Sequence, residues 1–90
     1  MAILVYECPT AKERRPEWMK SICAVLRNAQ RSCYEGNRQE MEQLQYSINA
    51  FVRQLKLSGT LGTDVTTEIT SDNTLLIKRP KQTVITVRFT

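Results

Sequence analysis

Between Pro16 and Leu57 the large apolar residues recur every three or four positions, the spacing that lays side chains on one face of an α-helix. At about 100° per residue, Trp18, Met19, Ile22, Leu26, Ala29 and Cys33 fall in one sector, with Cys23 and Val25 at its borders. Lys20, Arg27 and Arg31 fall together on the opposite side. This spacing predicts an amphipathic helix over 16–34. Pro16 is expected at the first helical position, where its missing N–H is harmless.

A second stripe of Met41, Leu44, Ile48, Phe51 and Leu55, with Val52 beside it, follows a 3-4-3-4 rhythm and predicts a helix over 37–58. Asn37, followed three residues later by Glu40, has the pattern of a capping box. Gly36 and Gly59 stand where left-handed C-caps are common. The short break around Tyr34-Glu35-Gly36 predicts an antiparallel helical hairpin.

The flanking segments change period. Ala2–Cys8 is a compact apolar run and is read as a strand buried on both faces for part of its length. Val65–Thr70, Leu75–Arg79 and Val84–Phe89 alternate, with turn-forming residues at 71–74 and 80–82. The alternation places Val65, Thr67, Ile69, Leu75, Ile77, Ile85, Val87 and Phe89 inward. It places Thr66, Glu68, Thr70, Leu76, Lys78, Val84, Thr86 and Arg88 outward. The expected fold class is α+β: one domain over 1–90, ordered β-α-α-β-β-β, with the helical hairpin packed on a three- to four-stranded antiparallel sheet.

Charge adds one asymmetry. Residues 1–72 carry nine Lys/Arg and nine Asp/Glu, whereas 73–90 carry Lys78, Arg79, Lys81, Arg88 and no acid. The formal charge of +4 therefore arises, in sequence, from the last 18 residues. A chain of 90 residues buries a modest share of its surface, which makes dimerisation a common source of added stability.

The chemistry is chiefly one of exclusion. There is no histidine, so Ser/His and Cys/His nucleophile pairs are ruled out. No HExxH, CxxC or phosphate-cradling glycine loop occurs. No catalytic residue, metal ligand, cofactor or small-molecule substrate is expected, and the chain is not read as an enzyme. The three cysteines, Cys8, Cys23 and Cys33, are odd in number and do not suggest a disulfide framework. Cys23 and Cys33 are expected to be buried on the first helix, and Cys8 to be an accessible thiol. AILVY is too short and lacks the basic flank of a signal peptide, and no run is long enough to cross a membrane. The expected location is the cytoplasm, or a host cytoplasm if the source is viral.

These features point to a small non-enzymatic binding protein that occupies a macromolecular surface, as an inhibitor, adaptor or assembly factor of the kind phages encode, working as a homodimer. Tyr46, Leu57, Leu76 and Val84, apolar residues on expected outer faces, are its candidate contacts with a protein partner or with itself. The alternative is a basic nucleic-acid-binding module. It would use Lys20, Arg27 and Arg31 on the first helix and Lys78, Arg79, Lys81 and Arg88 in the terminal hairpin. Lys12, Arg14 and Arg15 would enlarge that footprint if they lie on the same side.

Overall fold

A computed structural model describes all residues, Met1–Thr90. The order of elements is β1 (Leu4–Glu7), a 3-10 turn (Lys12–Arg14), α1 (Glu17–Ala29), α2 (Arg38–Leu57), β2 (Thr66–Ile69), β3 (Leu75–Arg79) and β4 (Gln82–Phe89). The four strands form one antiparallel sheet in the order β1-β4-β3-β2. This is the α+β fold expected from the pattern. The last strand returns to lie beside the first, pairing Leu4 with Phe89 and Glu7 with Thr86.

One face of the sheet and the inner stripes of both helices share a single core. Leu4, Met19, Ile22, Leu26, Met41, Ile48, Leu75, Ile77, Ile85 and Val87 lie at its centre, and Leu61 and Val65 close one end. No polar or charged residue is buried, so hydrophobic burial and packing supply the cohesion. The α2 stripe is turned slightly from its heptad seam: Met41, Ile48, Val52 and Leu55 are buried, while Leu44 and Phe51 are only half-buried. The helix faces β2 as well as α1. A cleft of about 320 Å³ bordered by Val25, Ala29, Tyr34 and Leu44 separates the two helices.

Local capping follows the sequence closely at α2. The Glu40 amide donates to Asn37 Oδ1 at 2.9 Å, and the Glu40 carboxylate accepts from the amides of Asn37, Gly36 and Glu35. Gly36 adopts φ +91°, and a Cβ there would come within 3.0 Å of the Ala2 Cβ, so only glycine fits. At the other end the amides of Thr60 and Gly59 donate to the carbonyls of Leu55 and Lys56, with Gly59 at φ +77°. This is a Schellman cap.

Three expectations change. First, α1 ends at Ala29, not near residue 34. The Ala2 amide donates to the Tyr34 carbonyl at 2.7 Å and the Tyr34 amide returns to Ala2 at 3.3 Å. The Tyr34 hydroxyl donates to the Ala29 carbonyl, and its ring tilts against Phe89 at 5.2 Å. Pairing with the edge of β1 thus draws the chain out of the helix, and Cys33 and Arg31 leave the stripes assigned to them. Pro16 is the N-cap, one position earlier than expected.

Second, β1 is an edge strand. Leu4 is buried, Val5 and Tyr6 are half-buried, and Glu7 is exposed, so it is not enclosed on both faces. Gln30 Nε2 donates to the Leu4 carbonyl at 3.1 Å, covering part of the free edge.

Third, Val84 points inward. The β3–β4 register shifts between Ile77 and Lys78, so that Ile77 faces Ile85 but Lys78 faces Thr83. Val84 is the extra residue of a β-bulge, and the local break in alternation lets Val84 and Ile85 both reach the core. Val84 is 1% exposed and offers nothing to a partner.

Two outcomes test this architecture. Val84→Asp places an unpaired carboxylate in the core and should abolish cooperative thermal unfolding, whereas Leu76→Asp on the outer sheet face should keep it. Circular-dichroism melts of the two variants decide the orientation. For Glu40, desolvation opposes ionisation, but the backbone amides of Gly36, Glu35 and Asn37 together prevail and hold its carboxyl below the usual value. Its contribution is therefore present above the unfolded-chain pKa and is lost as pH falls through the folded one. Glu40→Gln should lower the melting temperature at neutral pH and shrink its fall between pH 5 and 3, read by melts across that range.

Candidate functional site

The connection between β1 and α1 is polar in sequence and ordered in space. Pro9 ends β1, Lys12–Arg14 makes one 3-10 turn, and Arg15 Nε donates to the Thr10 carbonyl at 2.8 Å. That bond ties the end of the connection back to its beginning. It also aims Arg15 Nη1 at Cys23 Sγ, 3.9 Å away on α1. Lys20 and Arg27, seven residues apart, share the outer flank of α1.

Lys12, Arg15, Lys20 and Arg27 consequently line one concavity of about 430 Å³, with Glu13 at its border and Cys23 on its floor. Lys12, Lys20 and Arg27 are exposed and Arg15 is half-buried. Between residues 12 and 31 there are six basic side chains and two acidic ones, Glu13 and Glu17. None of the six makes a salt bridge, since the ion pairs of the protein all involve other cations. Four cations held around one hollow repel one another and raise the local concentration of anions. Arg14 and Arg31 extend the charge on either side, although Arg31 lies beyond the end of α1.

The terminal hairpin, where the sequence concentrates its net charge, is half neutralised. Lys78 Nζ lies 2.7 Å from Glu68 and Arg88 Nη1 lies 3.1 Å from Glu7. Both pairs are cross-strand diagonals on the outer sheet face, set by the registers of β2 with β3 and of β1 with β4. Exposed pairs of this kind add at most about 1 kcal/mol to stability, but they cancel two of the four charges. Arg79 lies over the Trp18 ring at 6.0 Å, a cation–π distance. Lys81 occupies the tip of the turn at φ +71°. The four residues therefore do not form one free cationic patch.

The apolar set is dispersed as well. Tyr46 and Leu57 are 79% and 78% exposed. Eleven residues apart, about three turns, they share one face of α2 with Ala50 and Arg53 between them. Leu76 is half-buried on the sheet face opposite the helices, and Val84 is in the core.

Of the cysteines, Cys8 is half-buried, Cys23 is buried and Cys33 is exposed. Cys33 thus departs from the expected burial, because α1 has ended before reaching it. Burial, reinforced by the neighbouring Cys8, pushes the Cys23 thiol above its ordinary pKa, while Arg15 and Arg27 pull the other way. No three His, Cys, Asp or Glu side chains converge to hold a metal ion, and no helix is long and apolar enough to cross a membrane. Helical spacing alone identifies Lys20 and Arg27. Arg15 and the floor position of Cys23 carry no signal in the sequence, since they depend on how the connection folds back.

Comparison with protein-family models, with curated proteins and with solved structures finds no match to this chain.

Thiol accessibility tests the site. In the native protein Cys33 should alkylate fastest with a maleimide and Cys8 more slowly, with Cys23 protected until the domain unfolds. Peptide mapping after timed quenching gives the order.

Proposed function

We propose that this protein is a non-enzymatic binding protein that seats the phosphate backbone of a nucleic acid on the concavity formed by the β1–α1 connection and α1. One observation carries this reading: the Lys/Arg of residues 12–31 lack acidic partners and four of them line a single hollow, whereas two of the four hairpin cations are paired with carboxylates. A phosphate chain entering the hollow would relieve the repulsion among Lys12, Arg15, Lys20 and Arg27 and release its own counterions.

Phosphate contacts position a nucleic acid without reading its sequence. No aromatic ring lines the hollow, and the nearby Trp18 is buried. Base stacking therefore has no platform on this face, and binding should show little sequence preference.

The alternative reading, contact with another protein or a second copy, is supported by Tyr46 and Leu57 on the outer face of α2. Val84, buried in the core, no longer supports it, and Leu76 lies apart from that pair, half-buried on the outer sheet face.

Labelled random duplex and single-stranded DNA and RNA, titrated against salt, provide the test. The expected result is micromolar or tighter binding near physiological salt that weakens steeply as salt rises. Lys20→Gln with Arg27→Gln should weaken duplex binding at least tenfold and flatten the log–log salt slope by about 1.8, at ~0.9 per phosphate contact. Lys78→Gln with Arg88→Gln should leave affinity within about twofold, because those cations are already paired. Absence of binding at low salt would overturn the proposal. Sedimentation of the wild type beside Tyr46→Ser with Leu57→Ser reads the alternative: a dimer dissociated by the pair of changes would favour it.

A further inference from the structure

We propose that Cys8 and Cys23 are a redox-active thiol pair that a low-molecular-weight disulfide, such as glutathione disulfide, converts to an intramolecular disulfide, with Cys8 as the entry thiol and Cys23 as the resolving one. The inference does not depend on the nucleic-acid reading.

Two sulfurs meet where β1 ends against α1, and a third lies one helical turn further along the helix. Cys8 Sγ lies 3.6 Å from Met19 Sδ. Met19 is one helical turn before Cys23 on the same buried stripe of α1. Arg15 binds the Thr10 carbonyl and reaches the Cys23 sulfur, while Cys8 Sγ lies 4.0 Å from that same carbonyl. Cys8 is also the neighbour that acts most strongly on the Cys23 thiol. One arginine thus holds together the short connection that carries Cys8 and the helix that carries Cys23.

Access divides the two roles. Cys23 is 1% exposed and out of reach of an external oxidant, whereas Cys8 is half-buried. The cations around the adjacent concavity would attract an anionic disulfide such as oxidised glutathione. Cys8, as the thiolate, attacks one sulfur of the oxidant. The S–S bond of the oxidant breaks, and one glutathione leaves and takes up a proton. Cys23 loses its proton and attacks the Cys8 sulfur, expelling the second glutathione as a thiol. Two protein thiols are oxidised by two electrons and one small disulfide is reduced to two thiols. The new bond closes a loop of fourteen intervening residues and pins the end of β1 to α1 across the floor of the hollow.

The test uses the full chain carrying Cys33→Ser, which removes the exposed thiol. After exposure to glutathione disulfide, its intact mass should fall by two hydrogens, and peptide mapping should link Cys8 to Cys23. Its melting temperature should rise by about 5 °C or more and return on reduction with dithiothreitol. Adding Cys23→Ala should leave a stable mixed disulfide on Cys8, because nothing resolves it. Adding Cys8→Ser instead should leave Cys23 unmodified in the folded protein. A persistent glutathione adduct on Cys8 with Cys23 intact, or two free thiols after prolonged oxidation, would overturn the proposal.

Discussion

The pairing of β1 with β4 is the constraint on which the rest of the molecule depends. It joins the two ends of the sequence, and Arg88 bonds to Glu7 across a separation of 81 residues. That pairing turns a β2-β3-β4 meander into a four-stranded sheet. It also fixes where the chain leaves β1, and so where the basic connection meets α1. At the opposite end of β1, the Ala2–Tyr34 bridge terminates α1 and positions Gly36 against Ala2 and Phe89. The two helices are thereby anchored through the same short strand, in a core with no buried polar residue to specify their placement. Long-range pairing of this sort slows folding, because its loop-closure entropy must be met before its contacts are gained.

Tertiary structure redistributes the charge of this chain. By sequence, the excess of positive charge lies in the last 18 residues. In space, Glu68 and Glu7 come from other strands to neutralise Lys78 and Arg88. Residues 12–31 are left with six cations, none of them in a salt bridge, against two acids, Glu13 and Glu17. Charge counts along a chain identify how much field a protein has, and pairing across the sheet decides where it emerges. The same sorting applies to the sulfurs: three cysteines of equal standing in sequence become one exposed, one half-buried and one buried thiol.

What the sequence by itself determined is everything set by local periodicity and local hydrogen bonding. The 3.6-residue repeat determines α2 almost to the residue, and Asn37, Glu40 and Gly59 cap it as their chemistry requires, because each cap is closed by groups within a few positions. Alternation determines the faces of β2 and β3 and most of β4, and Lys20 and Arg27 follow from helical spacing. Only the tertiary structure decided the features that depend on distant partners. The end of α1 is set by Ala2, which outcompetes continued helix at Tyr34. The inward turn of Val84 is set by a register shift against β3 that breaks the period of two. The cationic hollow exists because Arg15 bonds back to Thr10 and brings the connection against the basic flank of α1. Periodicity reads neighbours along the chain, and these three outcomes are fixed by groups that only folding brings into contact.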